Sequence, residues 1–208
     1  MSQATLDQTH DHHDDHAHDN PAAIQQRMDN LKFGMWLYLG SETVIFTILI
    51  ATYVVFRVNN PESVAAAHEK ASILLVGLNT FILLTSSWAM VRGLFAIQRD
   101  NVAGLIKWFW LVVALGAIFV GLQYVEYQEL AHEGVTVFDN DWGTRFYPLT
   151  AFHGAHVLLG VVWGWIVIRR AQRGLVSSKN YIAVEIFGLY WHFVDVVWVI
   201  LFSLLYLM

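Results

Sequence analysis

Five long apolar stretches, separated by short polar segments, run through this 208-residue chain. Each stretch is about the 20 residues that a helix needs to cross a bilayer. Continuous hydrophobicity favours helices, because the strands of a membrane barrel are short and alternate apolar with polar positions. We therefore predict an all-α integral membrane protein, a bundle whose five spans lie at 33–56, 71–95, 106–127, 146–168 and 182–207.

The first twenty residues, MSQATLDQTHDHHDDHAHDN, contain almost no large apolar side chain. Such a segment buries too little apolar surface to offset the entropy lost on ordering. We expect a disordered, His/Asp-rich cytoplasmic tail over residues 1–28 and one transmembrane domain over residues 29–208. The tail holds five of the ten histidines, so weak binding of zinc, copper or nickel is the alternative to a solvated tail without a fixed ligand.

The composition supports a membrane protein and excludes every cofactor or metal site that requires cysteine. The chain is 56% hydrophobic and 14% charged, whereas soluble domains carry about 25% charged residues. There is no cysteine, which excludes disulfides, thiolate metal sites, iron–sulfur clusters and thioether-linked haem. The net charge of −5 resides in the five aspartates of the tail, and the remaining acidic and basic side chains balance. We therefore expect no nucleic-acid partner.

The basic residues between the spans predict the orientation in the membrane. Nine lie on one side: Arg27, Lys32, Arg92, Arg99, Lys107, Arg169, Arg170, Arg173 and Lys179. The other side has three: Arg57, Lys70 and Arg145. Since positive residues accumulate in cytoplasmic loops, we expect a cytoplasmic N-terminus and a C-terminus outside.

Polar residues within the spans are the candidates for function, because charged groups at that depth are costly. Glu42, in LGSETVIF, lies among apolar neighbours and either exchanges protons or forms a neutral hydrogen bond between helices. Glu126 and Glu185 lie near predicted span ends, where they can reach headgroups or water. The other candidates are Asn79, Gln123, His153, His156, His192 and Asp195.

Four of these candidates repeat one spacing. His153 and His156 stand at i and i+3 on one helix face, as do His192 and Asp195 on the next span. They could supply a metal site or a haem, or they could be polar contacts between helices. Three glycines on the same span as the two histidines favour close helix packing: Gly154, Gly160 and Gly164. The chain contains no complete catalytic constellation.

Five motifs in order resemble subunit III of the haem–copper oxidases, over roughly residues 31–208. They are LGSETVIF, LNTFILLTSS, LGAIFVGLQYVEY, AFHGAHVLLG and YWHFVDVVW. The resemblance implies the five-span bacterial form, which lacks the first two spans of longer relatives. It also implies a bundle whose spans form two groups around a V-shaped, lipid-holding cleft.

The resemblance further implies a non-catalytic subunit of a cytochrome c oxidase in the bacterial cell membrane. Haem and copper would lie in partner subunits, with no metal or other cofactor in this chain except bound phospholipids. Its partners would be subunits I and II and membrane phospholipids, and its role would be to stabilise subunit I and support proton uptake. Glu42 matches the family's buried, carbodiimide-reactive carboxylate. The residues implied in helix packing and in subunit or lipid contacts are Asn79, Gln123, Glu126, His153, His156, Trp191, His192, Asp195 and Trp198.

The sequence is compatible with two electron donors for the complex, cytochrome c and quinol. SETVIF and QYVEY favour the cytochrome c branch, whereas the His-rich N-terminus, RRAQRGL and LLYLM also resemble the quinol-oxidase branch. A relative associated with nitric oxide reductase is a weaker alternative. In either oxidase the donor would react with other subunits. Two rivals from other classes are a haem-bearing membrane anchor and an independent proton channel through Glu42.

Overall fold

The computed structural model describes residues 21–70, 73–138 and 141–208. The described residues form six α-helices and a terminal π-helical turn, and no strand element occurs among them. The elements are α1 Pro21–Asn59, α2 Pro61–Lys70, α3 Ile73–Gln98, α4 Val102–His132, α5 Gly143–Gln172, α6 Ile182–Phe202 and the π turn Ser203–Leu207.

The predicted five-span helical architecture is confirmed. Helices α1, α3, α4, α5 and α6 are each long and apolar enough to cross a membrane. Residues 1–20 of the predicted tail lie outside the described residues, whereas residues 21–28, which the prediction also placed in the tail, form the start of α1. The prediction did not include α2, although Pro61 at its first position and Glu62 in its first turn are common helix-start signals.

The spans form a four-helix unit, α3 to α6, with α1 packed on one side of it. Within the four-helix unit α4 packs between α3 and α5, and α6 contacts both α3 and α5. Helix α1 packs mainly on α6 and α5. The core of the unit is aromatic, with Phe109, Phe119, Phe187, Trp191 and Trp198 all buried.

Glycines bring the helices of this unit close together, as expected for Gly154 and Gly160, and Gly116 of α4 adds a further close approach. A Cβ atom on Gly160 of α5 would lie 2.4 Å from the Trp191 ring of α6. A Cβ on Gly116 of α4 would lie 2.8 Å from the same ring, and one on Gly154 would lie 2.5 Å from the Gln123 side-chain oxygen. Close approach of helix backbones at small residues is a common basis of association in lipid, where apolar burial gives little drive.

A polar contact joins the α3–α4 turn to the α5–α6 loop, on the side of the molecule where α3 and α5 end. The Ser178 amide donates a hydrogen bond of 3.0 Å to the Asp100 carboxylate. This bond lowers the pKa of Asp100 from its ordinary value of 3.8, because the donor stabilises the ionised form. Asp100 has a φ of 57°, a left-handed conformation that Asp tolerates better than most residues. We call this side, which also carries Lys32, the basic face.

Candidate functional site

Glu42 and His156 meet in the interior between α1 and α5. The Glu42 Oε2 atom lies 3.2 Å from the His156 Nε2 atom, and the two side chains are only 12% and 7% exposed. Glu42 lies ten residues beyond Lys32 on α1, which corresponds to about 15 Å along a helix axis. The carboxyl is therefore deep in a span and has an imidazole partner. Sequence reasoning had identified both residues but had not paired them.

The hydrogen bonds of His156 determine how many protons the pair holds. Its Nδ1 atom lies 2.8 Å from the Phe152 carbonyl oxygen, which can only accept, so Nδ1 carries a proton. The contact between Nε2 and Glu42 then requires one further proton. That proton lies either on the carboxyl of a neutral pair or on the imidazole of an ion pair. In both arrangements the pair has no net charge, which suits a site of low polarity.

Aromatic side chains surround the pair. The rings of Phe46 and Phe152 lie 5.3 and 4.7 Å from the His156 ring, measured between centroids. The Tyr190 hydroxyl donates a 2.8 Å hydrogen bond to the His156 carbonyl oxygen. Tyr190 also stacks on Tyr38 of α1. The surroundings therefore limit access of water and hold α1, α5 and α6 together at this level.

Two further polar contacts attach α1 near its two ends. The Lys32 ammonium lies 2.7 Å from the Glu185 carboxylate at the start of α6. The Arg57 guanidinium donates a 2.8 Å hydrogen bond to the Leu204 carbonyl oxygen at the end of the chain. The interpretation that Glu185 reaches headgroups or water was incomplete, because its carboxylate forms this interhelical ion pair.

Hydroxyl groups of α3 bind the aromatic residues of α6. The indole N–H of Trp191 donates to the Ser86 hydroxyl, and that of Trp198 donates to the Thr80 hydroxyl, each at 3.0 Å. His192 shares a 2.6 Å hydrogen bond with the Ser87 hydroxyl.

Sequence reasoning missed the three hydroxyl residues. Part of a signal was present, since Trp191 and Trp198 stand seven residues apart and therefore share a helix face. Their acceptors Ser86 and Thr80 stand six residues apart, so the spacing of the hydroxyl residues did not match it.

Polar side chains join α4 to α3, α5 and the C-terminal turn, with Asn79 supplied by α3 and Gln123 and Glu126 by α4. The Asn79 amide donates to the Phe119 carbonyl oxygen at 3.2 Å, and the Gln123 amide donates to the Thr150 carbonyl oxygen at 2.9 Å. Glu126 is only 3% exposed and accepts a 2.6 Å hydrogen bond from the Tyr206 hydroxyl. The expectation that Glu126 reaches headgroups or water was therefore wrong.

The four candidate metal ligands do not come together. Among the described residues no group of three or more His, Asp or Glu side chains is placed to hold a metal ion. His156 binds Glu42 and His192 binds Ser87, whereas His153 is fully buried and stacks on Trp198 with 4.9 Å between ring centroids. Asp195 lies near the Ser87 hydroxyl. Equal spacing on two helices placed each pair on one face, but the two faces contact different neighbours.

Five membrane-length helices joined by buried polar contacts define a multi-pass membrane protein. Residues 17–208 match the family model for cytochrome c oxidase subunit III, and the chain belongs to that family, a subunit of a haem–copper oxidase complex. It is 37% identical over 194 residues to cytochrome c oxidase subunit 3 of Bacillus subtilis (strain 168), covering 91% of each chain. It is 36% identical over 195 residues to the subunit 3 of Thermostichus vulcanus, covering 93% of this chain and 92% of the relative.

A second kind of oxidase occurs among the relatives. Quinol oxidase subunit 3 of Bacillus subtilis (strain 168) is 35% identical over 202 residues, covering 94% of this chain and 97% of the relative. The resemblance to haem–copper oxidase subunit III is thus confirmed, and both branches considered from the sequence are represented.

Proposed function

We propose that the chain is a non-catalytic subunit III of a proton-pumping terminal oxidase in the bacterial cell membrane, with its N-terminus in the cytoplasm. Its partners are subunits I and II, which hold the haems, the copper and the oxygen chemistry, and membrane phospholipids. It stabilises subunit I during turnover and supports proton uptake. Asn79, Gln123, Trp191, His192, Asp195 and Trp198 serve helix packing in this proposal.

One observation carries the proton part of the proposal: the buried hydrogen bond between Glu42 and His156 at 3.2 Å. A carboxyl and an imidazole that share one proton can pass it between them without creating net charge. Proton relays through membrane helices commonly use such residues. We infer that Glu42 is the proton-exchanging group and that His156 sets its orientation and accepts the proton.

We propose cytochrome c as the electron donor of the complex, acting on another subunit. The motifs SETVIF and QYVEY and the matches at 37% and 36% to subunits named for cytochrome c oxidase support this assignment. Quinol is the second candidate, supported by the 35% match to a quinol oxidase subunit. Oxygen consumption of the purified complex with reduced cytochrome c and with a quinol separates the two donors.

The central experiment purifies the complex through a tag on this chain and compares Glu42→Gln, Glu42→Ala and the wild type. Glutamine keeps a hydrogen-bonding side chain of the same length but cannot exchange a proton. The matched control is Glu62→Gln, which removes an exposed carboxylate on α2. The readouts are the visible spectrum of co-purified haem and the survival of oxygen consumption during sustained turnover.

We expect haem–copper bands in all four preparations and a shorter active lifetime in both Glu42 variants, with the control equal to wild type. Equal lifetimes in every preparation would contradict the proton role and leave Glu42 as a structural contact. If only Glu42→Ala is impaired, the hydrogen bond rather than the proton matters. Haem bands that stay with the isolated chain would favour the membrane-anchor class, and proton conductance of that chain in vesicles would favour the channel class.

A further inference from the structure

A pocket of about 330 Å³ opens at the basic face, where the α3–α4 turn meets the start of α4. Two arginines border it, Arg92 of α3 and Arg99 of the turn that follows α3, with Phe95 and Trp108 as apolar walls. Arg92 lies on the face of α3 that borders the pocket, which we call the arginine face, and Arg99 follows seven residues later, just past the end of the helix. The pocket lies between α3 and α4, whereas α1 packs mainly on α5 and α6.

Arg92 is held in place by aromatic rings. Its guanidinium carbon lies 5.9 Å from the Trp88 ring centroid and 5.5 Å from that of Trp108. The two indole rings meet edge to face with 5.3 Å between centroids. Cation–π contacts of this kind orient a guanidinium but leave its N–H donors free for another acceptor.

Neither guanidinium has a carboxylate partner among the described residues. The ion pairs that those residues form do not involve Arg92 or Arg99. The adjacent Asp100 carboxylate is bonded to the Ser178 amide instead. Arg92 lies six residues inside the end of α3 at Gln98, about 9 Å along the helix. An arginine at that depth of a span favours a nearby anion.

We propose that this pocket binds the phosphate of an anionic phospholipid headgroup. The two guanidinium groups would bind the phosphate oxygens, and Trp108 would form the wall of the headgroup site. Trp88 and Leu84, which are 56% and 46% exposed, continue the arginine face of α3 into the apolar depth of the span, where acyl chains would lie. This apolar continuation favours a lipid over free phosphate.

The test uses the full chain with its accompanying subunits in nanodiscs of phosphatidylcholine, with phosphatidylglycerol added in steps. Native mass spectrometry counts the phosphatidylglycerol retained by the wild type, Arg92→Gln, Arg99→Gln and the double variant. Arg169→Gln is the matched control, because Arg169 also lies over a tryptophan ring, Trp165, at 5.8 Å but does not border this pocket. A parallel titration adds inorganic phosphate.

We expect each single variant to weaken retention of phosphatidylglycerol about fivefold, since one basic residue near an anionic surface contributes about that factor. The double variant should lose one bound lipid, while Arg169→Gln and the wild type should keep it. Equal retention in the wild type and the double variant would overturn the proposal. Displacement by millimolar inorganic phosphate, or equal retention of phosphatidylcholine, would also overturn the assignment to an anionic lipid.

Arg99 lies at an exposed helix end, so its single variant keeps the test valid if the double variant misfolds. The lipid measurement does not depend on oxidase activity. A failure of the lipid proposal is therefore distinct from a failure of the proposed function.

Discussion

The contacts within the four-helix unit α3–α6 differ from the contacts that attach helix α1 to it. The four-helix unit packs continuously, with Gly116, Gly154 and Gly160 against large side chains of neighbouring helices. Helix α1 packs through a stripe of buried apolar residues, among them Leu39, Phe46 and Tyr53. Polar contacts at three levels, formed by Lys32, Glu42 and Arg57, add to this attachment.

Much of the remaining surface of α1 is apolar and exposed, including Trp36 at 60% and Val55 at 62%. We infer that α1 is the adaptable part of the chain, whereas the four-helix unit is the rigid part. Each polar contact between helices in a membrane contributes modestly to stability. Steric overlap in a closely packed interface costs more, because the neighbouring side chains cannot move away easily. Substitutions at contacts of decreasing strength test this difference.

Gly160→Ala should have the largest effect, because its new methyl group would lie 2.4 Å from the buried Trp191 ring. We expect the free energy of unfolding to fall by about 1–3 kcal/mol, as for other overpacked cores. Loss of helicity during titration with dodecyl sulfate in mixed micelles measures it. The matched control is Gly121→Ala in α4, where a Cβ meets nothing within 4 Å. An equal effect of both substitutions would show that close packing at Gly160 is not limiting.

Ser86→Ala should have a smaller effect on the four-helix unit. It removes the acceptor of the Trp191 indole N–H while leaving the ring in place. We expect a loss of about 0.6 kcal/mol and at most about 2 in the same unfolding titration. Ser41→Ala serves as the control, since that exposed hydroxyl bonds only its own helix at Tyr38. A loss as large as that of Gly160→Ala would contradict the ranking.

The Lys32–Glu185 ion pair at the basic face should contribute less to the free energy of unfolding than the Ser86–Trp191 hydrogen bond. The two side chains are 41% and 24% exposed, so water and salt screen them. A double-mutant cycle of Lys32→Gln and Glu185→Gln should give a coupling energy of about 0.2–1 kcal/mol, lower at high salt. Coupling that is larger and insensitive to salt would mean that this end of α1 is held as firmly as the four-helix unit.

Protonation of Asp100 should have the smallest effect on stability, and that effect should occur only at low pH. Its folded-state pKa lies below the ordinary 3.8, so its contribution is complete above 3.8 and is lost as the pH falls through the lower folded value. The amide nitrogen shift of Ser178, followed by NMR, should titrate in that range. Asp100→Asn keeps a neutral acceptor and should abolish the titration. A Ser178 shift that titrates equally in this variant would rule out Asp100 as its cause.

Individual polar residues show how far prediction from sequence reached. Glu42 and His156 were both identified, but they are 114 positions apart and their pairing was not predicted. Glu126 was placed near a span end because the third predicted span stops at residue 127, yet Tyr206, 80 positions away, binds it in the interior. The four residues considered as possible metal ligands lie apart for the same reason, because helical spacing defines a shared face but not the neighbour that the face contacts.

The number of spans, their approximate limits and the family were all predictable from the order of the amino acids. Uninterrupted hydrophobicity requires helices in lipid, since every backbone polar group needs a partner within the segment, and family motifs are local strings of residues. The folded arrangement was needed to show which polar groups meet, where α1 packs on the four-helix unit, and that Arg92 and Arg99 border one pocket. Those features depend on the rotation and contact of whole helices, which no local pattern of residues specifies.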